Sequence, residues 1–198
     1  MHYMESPLNT MRYAYFLLIG VVCGVTIPSA KADPTPIHFP KGTFSLGFEG
    51  SYTYPIRFSE NEFITASASA GYYFWDNWSI SLRGEYMQVN QDFGFNDADG
   101  GGAGVLVRWH LFGDERLSFY IDGGGGLSWF NKAVPTFGTT YNFTARVGPG
   151  LAYRITEDVY LMGGARYFHL SNGNQHGREK NPSYDGIEWY LGMMFTFR

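Results

Sequence analysis

Two residues near the end of the chain have the types and spacing for acyl chemistry. His169 and Ser171 stand two apart in Arg166-Tyr167-Phe168-His169-Leu170-Ser171-Asn172-Gly173-Asn174. An imidazole beside a hydroxyl makes a general base and a nucleophile, provided both share a face of their element. Upstream the run alternates: Val159, Leu161, Gly163, Ala165 and Tyr167 on one parity, Tyr160, Met162, Gly164, Arg166 and Phe168 on the other. A period of two predicts a strand. His169 and Ser171 continue the first parity, so the pleat sets both on one face, about 7 Å apart along the backbone. The strand then enters a loop rich in Asn and Gly.

That strand is one of eight with the same rhythm. Alternating runs span Phe44–Tyr54, Ile64–Phe74, Trp78–Tyr86, Gly102–Leu111, Leu117–Trp129 and Tyr141–Arg154, then Val159–Ser171, then Ile187–Phe197. Nothing between Asp33 and Arg198 shows helical periodicity or an apolar run of about 18 residues. The links alternate too. Those after the second, fourth and sixth runs are short: Trp75-Asp76-Asn77, Gly113-Asp114-Glu115-Arg116 and Thr156-Glu157-Asp158. Those after the first, third, fifth and seventh are longer, near Pro55–Glu62, Asn90–Gly100, Asn131–Thr139 and Asn172–Tyr184. Short turns at one end and long loops at the other predict an all-β fold, an eight-stranded antiparallel transmembrane β-barrel of the outer-membrane type. Closure leaves no unpaired strand edge in lipid. Trp75, Trp78, Tyr86, Trp109, Trp129 and Tyr167 lie near strand ends and read as interfacial girdles. A soluble carrier barrel would show the same alternation with the apolar parity turned inward.

Composition agrees. Of 198 residues 19% are aromatic and only 16% charged, with 26 glycines. A net charge of -4 and scattered basic residues give no reason to expect nucleic acid as a partner. Residues 1–32 read as a secretory signal: Arg12 is its positive start, Ala14–Val25 its apolar stretch and Ala30-Lys31-Ala32 its cleavage site, with Met11 an alternative start. Cys23 falls inside it, so the barrel domain, 33–198, has no cysteine and no disulfide framework.

Membrane orientation sharpens the reading of the pair. An eight-stranded barrel has room inside only for side chains, so Glu49, Arg83, Glu85, Arg108, Asp122, Arg146, Arg154 and Arg166 should fill the interior and pair there. His169 and Ser171 have the opposite, lipid-facing parity. With the N-terminus in the periplasm, odd strands run outward, and Ser171 ends one of them. It should therefore meet the outer leaflet, where the lipid is lipopolysaccharide.

The run His169-Leu170-Ser171-Asn172, followed by Asn181-Pro182-Ser183-Tyr184-Asp185-Gly186-Ile187-Glu188, resembles the active-site region of the PagL-type lipid A 3-O-deacylases. The resemblance implies an esterase cutting the ester-linked 3-hydroxyacyl chain at position 3 of lipid A. Carried onto this chain it makes Ser171 the nucleophile, His169 the general base and Glu188 the orienting acid. The amides of Asn172, Gly173 and Asn174 become the oxyanion donors. It implies no metal and no cofactor. Its partners would be lipid A and the outer membrane, with a homodimer as the one protein assembly left open. Glu188 shares its parity with Gly192 and Thr196, however, which plain alternation turns inward. A bulge near Gly186 would re-aim it; otherwise Asp185 would be the acid, or the barrel would have no catalysis.

Other stretches carry less. Asn96-Asp97-Ala98-Asp99-Gly100 lacks the closing Glu of a calcium loop. Gly123–Gly126 sits within a strand, where it bends the sheet rather than cradling phosphate. His176 has no second ligand at metal spacing, and Arg178 and Lys180 suit an anionic headgroup or plain solvent. A non-catalytic adhesin or stress-resistance barrel, working through its loops, is the competing functional class.

Overall fold

A computed structural model describes residues 36–56, 61–91 and 96–198. The proposed signal segment, 1–32, and its cleavage site lie outside the described residues. Eight strands follow in order: β1 Phe44–Pro55, β2 Glu62–Trp75, β3 Trp78–Asn90, β4 Ala98–Gly113, β5 Leu117–Val134, β6 Thr139–Arg154, β7 Val159–Ser171 and β8 Tyr184–Phe197. Each pairs antiparallel with its sequence neighbours, and β1 closes on β8 from Phe44↔Phe197 to Pro55↔Gly186, giving a closed barrel.

Which parity faces inward is settled by exposure. Along β7 and β8 the outward set, Leu161, Tyr167, Trp189 and Leu191, is exposed, while Met162, Arg166, Phe168, Glu188 and Tyr190 are buried. The apolar parity is thus on the outside, as a barrel in lipid requires and the reverse of a soluble carrier. Exposed Trp75, Trp109, Phe112 and Phe119 ring the short-turn end. Tyr54, Tyr86, Trp129 and Tyr167 do the same at the long-loop end.

The interior is filled in three layers. At the long-loop end lies an apolar plug of Phe63, Met87, Val89, Phe130, Phe168, Leu170 and Tyr184. In the middle Glu49, Glu85, Asp122 and Glu188 meet Arg83, Arg108, Arg146 and Arg166. Arg166 is fully buried and binds Asp122 through two nitrogens, at 2.7 and 2.8 Å. Charges at this depth persist only when paired and hydrogen-bonded like this. Voids of about 10 Å³ beside Arg83 and Arg146 and about 20 Å³ beside Glu49 and Arg108 have room for about one water each. Among the described residues, a filled interior of this kind is a scaffold and leaves no aqueous pore.

The third layer, at the short-turn end, is aromatic, and the segment before β1 closes it. Phe39 stacks on Tyr73 at 5.0 Å and lies 4.2 Å from the His110 ring. Its amide donates to Asn77 Oδ1 and its carbonyl accepts from the Asn77 amide, at 3.0 and 2.7 Å. Ile37 adds a bond from its amide to the Asp114 carbonyl at 2.9 Å. Behind Phe39 is a buried Ser–His pair: His110 Nδ1 is 2.9 Å from Ser118 Oγ, and its Nε2 is 3.3 Å from the Tyr73 hydroxyl.

One link differs from the sequence expectation. The loop foreseen near Asn131–Thr139 is only 135–138, because β5 runs on to Val134, which pairs with Thr139. The Asn142 side-chain amide ties that extension by donating to the carbonyls of Val134 and Thr139, at 3.0 Å each. The link 172–183 is the longest one described throughout, and it follows Ser171 directly.

Candidate active site

β7 and β8 position the site by register alone. His169 stands directly opposite Asp185 across the β7–β8 ladder, and Arg166 directly opposite Glu188. Directly opposed residues share a face, and facing pairs three positions apart along a strand lie on opposite faces. One pair therefore projects outward and the other inward.

The outward pair forms a hydrogen-bonded chain. His169 Nδ1 lies 2.7 Å from Asp185 Oδ1, and His169 Nε2 lies 3.1 Å from Ser171 Oγ. The same Asp185 oxygen accepts the hydroxyl of Tyr167. The imidazole is about one-third exposed while the carboxylate is 4% exposed. Chemically, a carboxylate that accepts Nδ1–H fixes the tautomer in which Nε2 has a lone pair facing the serine hydroxyl.

Glu188 is not part of this arrangement. It is fully buried in the interior, where Oε1 accepts from Ser51 Oγ at 3.0 Å and Arg146 Nε at 3.2 Å. The expected orienting role therefore has to be corrected: no bulge interrupts the β7–β8 ladder from Arg166 to Leu170, so plain alternation sends Glu188 inward and Asp185 outward. Asp185 occupies the position for which Glu188 was expected.

The loop after Ser171 turns through two left-handed residues, Gly173 (φ 65°) and Asn174 (φ 63°). At Gly173 a Cβ would also meet the Phe143 ring at 3.2 Å, so glycine suits both the angle and the space. Of the three amides expected as oxyanion donors, two are engaged. Asn172 N–H donates to Asn181 Oδ1 at 3.0 Å, and Asn174 N–H to Asn172 Oδ1 at 2.9 Å. The Gly173 amide has no protein acceptor among the described residues. Asn181, nine positions on, is a residue that sequence reasoning did not single out; it ties the far end of the loop to the serine's neighbour.

On the β6 side, Phe143 is in register with Ser171 and Ala145 with His169. The ring contacts Trp129–Tyr141 and Tyr141–Phe143, at 5.4 and 5.6 Å, continue that apolar surface away from the serine.

A family model described as "Lipid A 3-O-deacylase (PagL)" matches residues 46–194. The chain belongs to the PagL family of lipid A 3-O-deacylases. A comparison with curated proteins gives no significant match. Among solved structures, the chain is similar to Neisserial surface protein A, with TM-score 0.57, 14% identity and coverage of 78% of this chain and 96% of that one. The N-terminal β-barrel domain of Pseudomonas aeruginosa OprF gives TM-score 0.54 at 18% identity, covering 80% of this chain and 100% of that domain. The outer membrane enzyme PagL gives 0.52 at 14% identity, covering 75% and 98%. At these identities the structures speak to the fold: this PagL-family chain is an outer-membrane barrel of the Gram-negative kind.

Proposed function

We propose that the protein is an outer-membrane esterase that removes the 3-hydroxyacyl chain from position 3 of lipid A, with Ser171, His169 and Asp185 as its catalytic group on the lipid-facing side. The observation that carries this reading is the His169 ring, held between Ser171 Oγ at 3.1 Å and Asp185 Oδ1 at 2.7 Å on the outward parity of β7 and β8.

Ser171 Oγ attacks the ester carbonyl while its proton passes to His169 Nε2. Asp185 keeps Nδ1–H in place and stabilises the imidazolium that forms. The tetrahedral oxygen takes a hydrogen bond from the Gly173 amide, a contact of a type typically worth about 3 kcal/mol of barrier. Collapse breaks the bond to the sugar oxygen, which takes the proton from His169 and leaves as the 3-hydroxyl. Water then attacks the acyl-serine with His169 as base, releasing the free 3-hydroxy fatty acid and restoring Ser171. With the long loops outside the cell, Ser171 lies at the outer-leaflet rim, level with the ester bonds of lipopolysaccharide. Phe143 and Ala145 give the acyl chain an apolar flank.

Mass spectrometry of lipopolysaccharide from cells expressing the protein tests this. The wild type should yield lipid A lacking one hydroxyacyl chain, and Ser171→Ala should yield intact lipid A at equal barrel abundance. Identical lipid A from both would sink the proposal.

A further inference from the structure

Tyr167 looks from sequence like one more girdle residue, yet its hydroxyl is not left at the membrane interface. It donates to Asp185 Oδ1, the oxygen that also faces His169 Nδ1. Tyr167 is two residues before His169 on the same parity and stands opposite Ile187, diagonal to Asp185. Three successive outward positions of β7 thus contribute to a single chain: Tyr167 hydroxyl, Asp185 carboxylate, His169 imidazole, and Ser171 hydroxyl at its end.

We propose that Tyr167 is a positioning residue for the deacylation reaction: its hydroxyl fixes the Asp185 carboxylate so that the carboxylate holds His169 toward Ser171. This rests on the catalytic reading of Ser171, His169 and Asp185. The physical need is specific to the site. An aspartate has one rotatable bond beyond χ1, and a carboxylate on the outer wall, 4% exposed, has little water to orient it. A second donor on the oxygen that takes the imidazole restricts rotation of the carboxyl group and shares its charge, and hydrogen bonds linked in a chain support one another. The phenol ring is itself fixed by the strand, so its hydroxyl is preorganised before substrate arrives. Substrate never touches this hydroxyl in the proposed reaction, so its removal should appear in turnover and not in binding.

The test uses the full barrel in detergent micelles with lipopolysaccharide as substrate. Tyr167→Phe keeps the ring and Tyr167→Trp keeps an interfacial aromatic; neither has a hydroxyl at that point. Both should lower kcat roughly tenfold, the equivalent of about 1.4 kcal/mol in the barrier, with KM unchanged within about twofold and with wild-type heat-modifiable migration of the barrel. Wild-type kcat in either variant would overturn the positioning role, as would a loss that appears in KM alone. Ser171→Ala, run alongside, separates the two levels. If it is inactive while Tyr167→Phe is fully active, only the tyrosine role falls. If it retains activity, the catalytic reading falls and takes the tyrosine role with it.

Discussion

Among the described residues the barrel holds two Ser–His pairs, and under the proposed function the contrast between them bears on what a hydroxyl and an imidazole need before they can react. At the short-turn end His110 meets Ser118 at 2.9 Å, closer than the 3.1 Å between His169 and Ser171. Yet its other nitrogen meets the Tyr73 hydroxyl rather than a carboxylate, and the Phe39 ring covers it at 4.2 Å. Both His110 and Ser118 are buried. The outer pair has the carboxylate, partial exposure, and a loop with an amide beside the nucleophile. Proximity is common to both pairs; the acid and the access belong to one.

The largest expected effect separates the pairs by activity. Ser171→Ala should reduce lipopolysaccharide deacylation by roughly 10⁶-fold, the scale seen when a triad nucleophile is deleted, while Ser118→Ala leaves kcat unchanged. Next, the two carboxylates of β8 should part company. Asp185→Ala should cost about 10⁴ in kcat, as loss of an orienting acid does, and Glu188→Gln should keep turnover near wild type. A large loss in kcat for Glu188→Gln in a stably folded barrel would reverse the assignment of the acid.

Stability sharpens the same comparison. Glu188→Ala takes one carboxylate from the interior ion network, leaving Arg146 with Glu85 alone, and should destabilise the barrel by about 3–5 kcal/mol, read as a lower urea midpoint in lipid vesicles. His110→Ala and Ser118→Ala should each cost about 1–3 kcal/mol with deacylation per folded molecule intact. The smallest effect lies in the turn joining the strands of the inner pair. There Asp114 accepts the amides of Arg116 and Leu117, at 2.8 Å each, which hold its carboxyl below the ordinary aspartate range. A depressed folded value means the contribution is present above the unfolded value of about 3.9 and fades as pH falls through the folded one. Asp114→Ala should therefore narrow the gap between urea midpoints at pH 7 and below about pH 3.

Much of this was legible in the chain because a barrel strand writes its two faces in alternate residues. The eight runs, the short and long links, and the shared face of His169 and Ser171 all follow from that rule. The carboxylate beside His169 was legible by the same rule: counting by twos from Trp189 reaches Ile187 and Asp185, and never Glu188. The motif resemblance pointed to Glu188, whereas simple parity pointed to the carboxylate that stands beside His169. The loop was less legible, because amide direction at 172–174 depends on left-handed φ values and on Asn181, nine positions away, and neither has a period. The same holds for Phe39, whose proline-rich surroundings show no alternation and gave no sign that it caps the barrel.

The packed interior has a further consequence for the economy of the reaction. Rings and ion pairs fill the cylinder among the described residues, so the proposed reaction exchanges neither lipid nor product along the axis and draws its hydrolytic water from the cell exterior. Under the proposed function, catalysis becomes an event in two dimensions, fed by sideways diffusion in one leaflet. In mixed micelles its velocity should therefore track the mole fraction of lipopolysaccharide at the surface and ignore dilution of the whole sample.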